Sequence, residues 1–176
     1  MKKTIILLYV ILAGAMIASA GPTTNFNFSY SGENITASGT LFTNPLGGGQ
    51  YLVTGITGHY NTDMITGLEP CTSGVCNKLF LHDSGWQFSY DNLGFATDPH
   101  LDLYGLLFDV TNVGYVNLYY DGNGYRNTVE NEDGLGGYVD TPVTASFSST
   151  PEPSTLLMLG SGIIGVGGLI RRKLKA

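Results

Sequence analysis

A chain of 176 residues with a formal charge of −6 leaves room for one folded unit once its two unlike ends are set aside. The charge is segregated: of 14 acidic residues only Glu152 lies beyond residue 150, and of 8 basic residues only Lys78 and Arg126 lie between 21 and 150. That stretch, at a net of about −11, repels phosphate backbones and argues against a nucleic-acid partner, whereas cations and neutral sugars suit it.

The N-terminus reads as a secretory signal over residues 1–20. Lys2 and Lys3 supply the charged start, and Leu7, Leu8, Val10, Ile11 and Leu12 lie in a short apolar segment. Ala18 and Ala20 place small side chains where a signal peptidase needs them, so cleavage is expected before Gly21. An uncleaved anchor is the alternative, but the apolar segment is short for a span.

Residues 21–150 read as an acidic β-rich ectodomain. Glycine is abundant at 25 residues, and 11 Tyr with 8 Phe supply the apolar surface of one core. Phe26, Phe28 and Tyr30 alternate with polar residues, as in a half-buried strand. Ser31 to Asn34 reads as a hairpin turn, Ile35 to Thr43 as the returning strand, and 44–49 as a loop. Further strands are predicted at Tyr51–Tyr60, Ile65–Leu68, Leu79–Leu81, Trp86–Tyr90, Leu103–Val110, Tyr115–Tyr120 and Val139–Phe147. The apolar run Leu106-Leu107-Phe108 predicts a strand covered on both faces. No helical periodicity appears outside the ends. Eight or nine short strands predict an all-β fold, a small antiparallel sandwich or a flattened barrel.

Candidate chemistry in this stretch is sparse. Cys71 and Cys76 are the only cysteines, and in an oxidising exported setting a disulfide between them is expected. A zinc site with His82 as third ligand is the rival reading, which lacks a fourth ligand. His82-Asp83-Ser84 names the residue types of a catalytic triad, but neighbours on an extended chain point to opposite faces, so a polar turn is preferred. The spacing of His100 and Asp102 would let them share one face of a strand, but with no cleft to join them they are read as surface residues. Asp121, Asn123, Asn127 and Glu132 fall at calcium-loop positions, yet Arg126 stands where the loop's glycine belongs, which favours a glycine-rich hairpin turn. Trp86, Tyr119, Tyr120 and Tyr125 are candidates for a sugar-stacking platform, against the alternative that they fill the core. No cofactor is expected.

The C-terminus, 151–176, has three parts in order. Pro151, Glu152 and Pro153 with Ser154 come first, then the apolar segment Thr155 to Ile170, then Arg171, Arg172, Lys173 and Lys175. Sixteen residues as a helix reach about 24 Å, slightly less than the roughly 30 Å hydrocarbon core, a gap that snorkelling basic side chains can close. The basic cluster predicts a cytoplasmic C-terminus and a body on the far side of the membrane.

This order of triplet, glycine-containing apolar helix and basic end resembles the PEP-CTERM sorting tail. The resemblance covers residues 151–176 and implies recognition by an exosortase, a membrane enzyme that cleaves near the triplet after transient anchoring in the inner membrane. It also implies release to the cell surface or matrix and an association with exopolysaccharide and biofilm. A plain uncleaved anchor is the alternative. Body phrases such as Val53-Thr54-Gly55-Ile56 and Asp91-Asn92-Leu93 are similar to small ectodomains found with such tails, a resemblance that brings no active site. The expected role is non-enzymatic and structural or adhesive. A carbohydrate-binding module, with or without calcium, is the second reading and a small secreted hydrolase the third.

Overall fold

A computed structural model describes residues 24–72, 74–81, 85–130 and 137–150. The signal segment, the sorting tail, the His82–Ser84 turn and Glu132 lie outside them. The described residues form β1 (Phe26–Gly32), β2 (Ile35–Gly47), β3 (Gln50–Tyr60), β4 (Asp63–Leu68), β5 (Cys76–Leu79), β6 (Gln87–Tyr90), β7 (Leu93–Phe95), β8 (Leu106–Val110), β9 (Gly114–Tyr120), β10 (Tyr125–Glu130) and β11 (Tyr138–Ser149). Every pairing is antiparallel. The order β2-β1-β11-β10-β9-β8-β4-β3 returns on itself because β3 also pairs with β2, which closes an eight-stranded barrel. Of the two architectures expected from the sequence, the barrel is the one formed.

Tight turns set the registers. Gly32 pairs with Ile35 and Tyr60 with Asp63, so Glu33-Asn34 and Asn61-Thr62 are two-residue loops. Each loop needs one left-handed residue, and asparagine supplies it at Asn34 (φ 58°) and Asn61 (φ 52°). The stretch 44–49 is not a loop, because β2 runs on to Gly47 as one arm of a hairpin that outgrows the barrel. Pro45 is tolerated there because β1 pairs with β2 only from Ile35 to Leu41, leaving the proline on a free edge.

The alternation seen in β1 carries through. Phe26, Phe28 and Tyr30 point into the barrel with Leu41, Val53, Ile56, Ile65, Leu106, Phe108, Val110, Val116 and Leu118, so the lumen is a packed core. Eight strands leave an interior that side chains can fill, and here they do. One polar link crosses it: the Tyr30 hydroxyl donates to Asn127 Oδ1 at 2.9 Å, and Asn127 Nδ2 donates to the Tyr60 hydroxyl at 3.2 Å. Asn127 is fully buried, so these bonds satisfy groups that would otherwise be costly.

Gly39 faces Gly58 across the β2–β3 closure. A Cβ on Gly39 would lie 1.9 Å from the Thr57 carbonyl oxygen, and one on Gly58 would lie 2.1 Å from that of Ser38. Both obstacles are backbone, so neither gives way easily. The Phe28 ring occupies the space above Gly39, 2.9 Å from the same hypothetical Cβ.

A second layer lies outside the wall. The β5–β6 hairpin folds over β8 and β9, where Phe80, Phe88, Tyr90 and the disulfide-bonded Cys71 bury Leu107. This is why the Leu106-Leu107-Phe108 run is apolar throughout: Leu106 and Phe108 face the lumen and Leu107 faces the hairpin. Cys71–Cys76 fastens the entry to that hairpin, as expected. Leu81 N donates to Glu130 Oε2 at 2.7 Å and ties the loop after β5 to β10.

Gly39→Ala is expected to cost about 3 kcal/mol, lowering Tm by on the order of 10 °C in thermal unfolding. Gly124→Ala, where a Cβ meets nothing within 4 Å, should stay within about 0.5 kcal/mol of wild type. Replacing both Cys71 and Cys76 with Ala should remove about 2 kcal/mol of constraint from a short loop. That loss should appear as faster proteolysis between 72 and 90, with the barrel strands keeping their hydrogen-exchange protection.

Candidate functional site

The outer wall of β9, β10 and β11 presents side chains in rows fixed by register. Asn117 stands opposite Thr128 and Thr128 opposite Asp140, while Glu130 stands opposite Tyr138. The β5–β6 hairpin covers only part of this wall. Its β6 strand is held there by the Asn117 amide, whose Nδ2 donates to the Ser89 carbonyl at 3.2 Å. Between β6 and the rows of β10 and β11 a groove of about 300 Å³ remains, lined by Trp86, Gln87, Asn117, Tyr119, Thr128 and Tyr138 among others.

Two large rings stand at its mouth. Trp86 is 52 % exposed and Tyr138 49 %, and they meet edge to face with centroids 5.5 Å apart. The floor is polar. Asn117 is 6 % exposed, and its Oδ1 is buried with no hydrogen-bond partner among the described residues. On the far wall Thr128 Oγ1 donates to Asp140 Oδ1 at 2.9 Å, and Arg126 Nε donates to Asp140 Oδ2 at 3.0 Å, with a second contact from its Nη2. The Tyr119 hydroxyl lies 3.4 Å from Asp140 Oδ1, and burial, the largest effect, raises its pKa. Both cations of the body are committed to acids: Lys78 pairs with Glu69 at 3.0 Å, and Arg126 pairs with Asp140 and lies 3.9 Å from Asp121.

The four aromatic candidates do not form one platform. Trp86 and Tyr119 share the groove, but the inward alternation of β9 and β10 sends Tyr120 and Tyr125 toward the lumen side. Tyr125 is buried, donates to Asp98 Oδ1 at 2.9 Å and accepts from His100 N at 2.8 Å. Burial is the main cause that pushes its pKa up to about 12. Tyr120 packs edge-on against Tyr125 and lines a separate pocket at the barrel end with Phe95, Leu101, Asp102 and Asp121. Two partners were missed. Tyr138 precedes the point where the strand was expected to begin, and Asn117 carries no sequence signal beyond its alternation.

Two of the calcium-loop residues, Asp121 and Asn127, are otherwise engaged. Asp121 Oδ1 accepts from Asn123 N at 2.8 Å and Gly124 N at 3.0 Å, so Asp121 builds the hairpin turn. These backbone bonds, Asn123 first, hold its carboxyl below the usual range. Asn127 points into the core. Among the described residues no cluster of three metal-ligating side chains occurs. His100 and Asp102 do not share a strand, which begins only at Leu106. His100 instead sets its ring against Phe95 O at 2.8 Å, and Asp102 Oδ1 accepts from Tyr104 N and Gly105 N, both at 3.0 Å.

The family model of the PEP-CTERM protein-sorting motif matches residues 149–173. No curated protein and no solved structure matches the chain.

One carboxyl near the barrel end is strongly perturbed. Asp91 is 6 % exposed, and burial, partly offset by its bond from Leu93 N at 3.0 Å and reinforced by Asp102, pushes its pKa up to about 6. A carboxyl raised in the folded state favours folding when protonated. Its contribution is therefore full below the unfolded value of about 4 and is lost as pH rises through about 6. Asp91→Asn keeps the acceptor for Leu93 N and removes the charge. Its Tm should match wild type near pH 4 and exceed it above pH 7, by an amount equivalent to on the order of 2 kcal/mol.

Proposed function

We propose that this PEP-CTERM protein, exported and sorted by an exosortase, is a non-catalytic constituent of the cell surface or extracellular matrix with a structural or adhesive role linked to exopolysaccharide. In this reading signal peptidase removes residues 1–20. The apolar segment 155–170 then holds the chain in the inner membrane, with Arg171, Arg172, Lys173 and Lys175 in the cytoplasm, until the exosortase cuts near Pro151, Glu152 and Pro153.

One observation carries the proposal. The barrel closes immediately before the triplet: Thr150 N donates to Asn25 O at 2.8 Å and Thr150 Oγ1 to the same oxygen at 3.0 Å. The described chain therefore ends, hydrogen-bonded, one residue before the triplet. β1 begins beside the end of β11, with Phe26 opposite Ser149, so the described chain begins and ends at one pole of the barrel. The rest of its surface is presented outward while the chain is still anchored. A packed lumen puts ligand-directed chemistry on the exterior wall, which favours contact with a matrix over enclosure of a small molecule. The exposed Trp86–Tyr138 pair favours carbohydrate recognition as the form that contact takes.

In cells with an active exosortase, the protein should co-fractionate with the extracellular polysaccharide and be released when that polysaccharide is depolymerised. Deleting the exosortase, or changing Pro151, Glu152 and Pro153 to Ala, should leave it in the membrane fraction. Free protein in the medium, indifferent to both treatments, would contradict the proposal.

A further inference from the structure

We propose that the groove between Trp86 and Tyr138 is a binding site for a neutral polysaccharide, an inference that rests on the matrix role above and assigns it a place on the barrel. The two rings meet at an interplanar angle of 70°. A pyranose ring laid on the face of one is thus bordered by the edge of the other. Aromatic faces are electron-rich and attract the weakly positive C–H face of a sugar, while anionic groups gain little there. Rings half exposed in water are suited to that contact.

The floor adds a directional element. Asn117 lines the groove, donates to Ser89 O, and leaves its Oδ1 without a donor among the described residues. A buried acceptor of this kind is costly unless something supplies a hydrogen. A sugar hydroxyl, or a water held beneath it, meets that need once the amide turns its oxygen toward the groove. Gln87 and Thr128 flank the position and supply further polar atoms. Few polar groups beneath an aromatic mouth are what orient an uncharged polyhydroxylated ligand.

Charge decides the class of glycan. The body is strongly acidic, and Lys78 and Arg126 are already paired. A uronate-rich chain would approach Asp140 and Glu130 with no uncommitted cation among the described residues to receive it. Uncharged chains meet no such penalty.

The test uses the full-length chain in detergent, run by affinity electrophoresis through gels containing a neutral β-glucan, a neutral galactomannan or anionic alginate. At least one neutral gel should retard the protein. Trp86→Ala and Tyr138→Ala should each weaken that retention at least about tenfold, and Trp86→Tyr should keep it within about threefold. Phe42→Ala, which removes a ring 40 % exposed on β2, serves as the control and should change nothing. Equal retention of wild type and Trp86→Ala overturns the groove and leaves the matrix role standing. Retention by alginate alone, or by no gel, overturns neutral-sugar recognition. The matrix role itself fails only in the fractionation experiment, which reads location and not affinity.

Discussion

Closure of the barrel across Gly39 and Gly58 is the constraint on which the rest of this structure depends. β2 and β3 approach so closely there that backbone occupies the space a side chain would need. With the closure made, eight strands have no free edge around the wall, and the residues that alternate inward meet in one core. A filled lumen has a functional consequence. Specificity has to be built on the outside, and the outside differs from place to place because the β5–β6 hairpin covers one sector only.

Buried asparagines organise what the strands alone leave open. Asn127 links Tyr30 to Tyr60 across the core. Asn92, fully buried at φ 57°, donates to Glu69 O at 2.7 Å and accepts from Leu107 N at 3.3 Å. It therefore stands in for a strand neighbour where β4 has ended, and its carbonyl also accepts from Val53 N at 2.9 Å. Asn117 continues the pattern by pinning β6 to the wall, but with one acceptor left over. That surplus sets it apart from the other two and places a polar demand on the floor of the aromatic groove.

Much of the fold was legible because period-two alternation survives wherever one face meets the core. β1 and β8 read directly, as did the disulfide and the asparagine-bearing turn at the end of β1. β10 did not, because Tyr125-Arg126-Asn127-Thr128 places a polar residue, Asn127, on the inward face and masks the alternation. β7 was too short to register, and the hairpin extension through Pro45 contradicts what proline signals except on a free edge. Half of the candidate site was legible. Trp86 and Tyr119 stand out as residue types, but which face each aromatic takes depends on register, and register separates Tyr120 and Tyr125 from them. Tyr138 and Asn117 matter only through neighbours brought in from other strands.

Both ends of the described barrel meet where Thr150 N and Oγ1 donate to Asn25 O, immediately before the Pro151-Glu152-Pro153 triplet. Intact mass of the native extracellular protein tests the proposed processing most directly. The account predicts a species beginning at Gly21, ending near Pro153 and two hydrogens lighter than its reduced form. A product that retains residues 155–170 in cells with an active exosortase would contradict it.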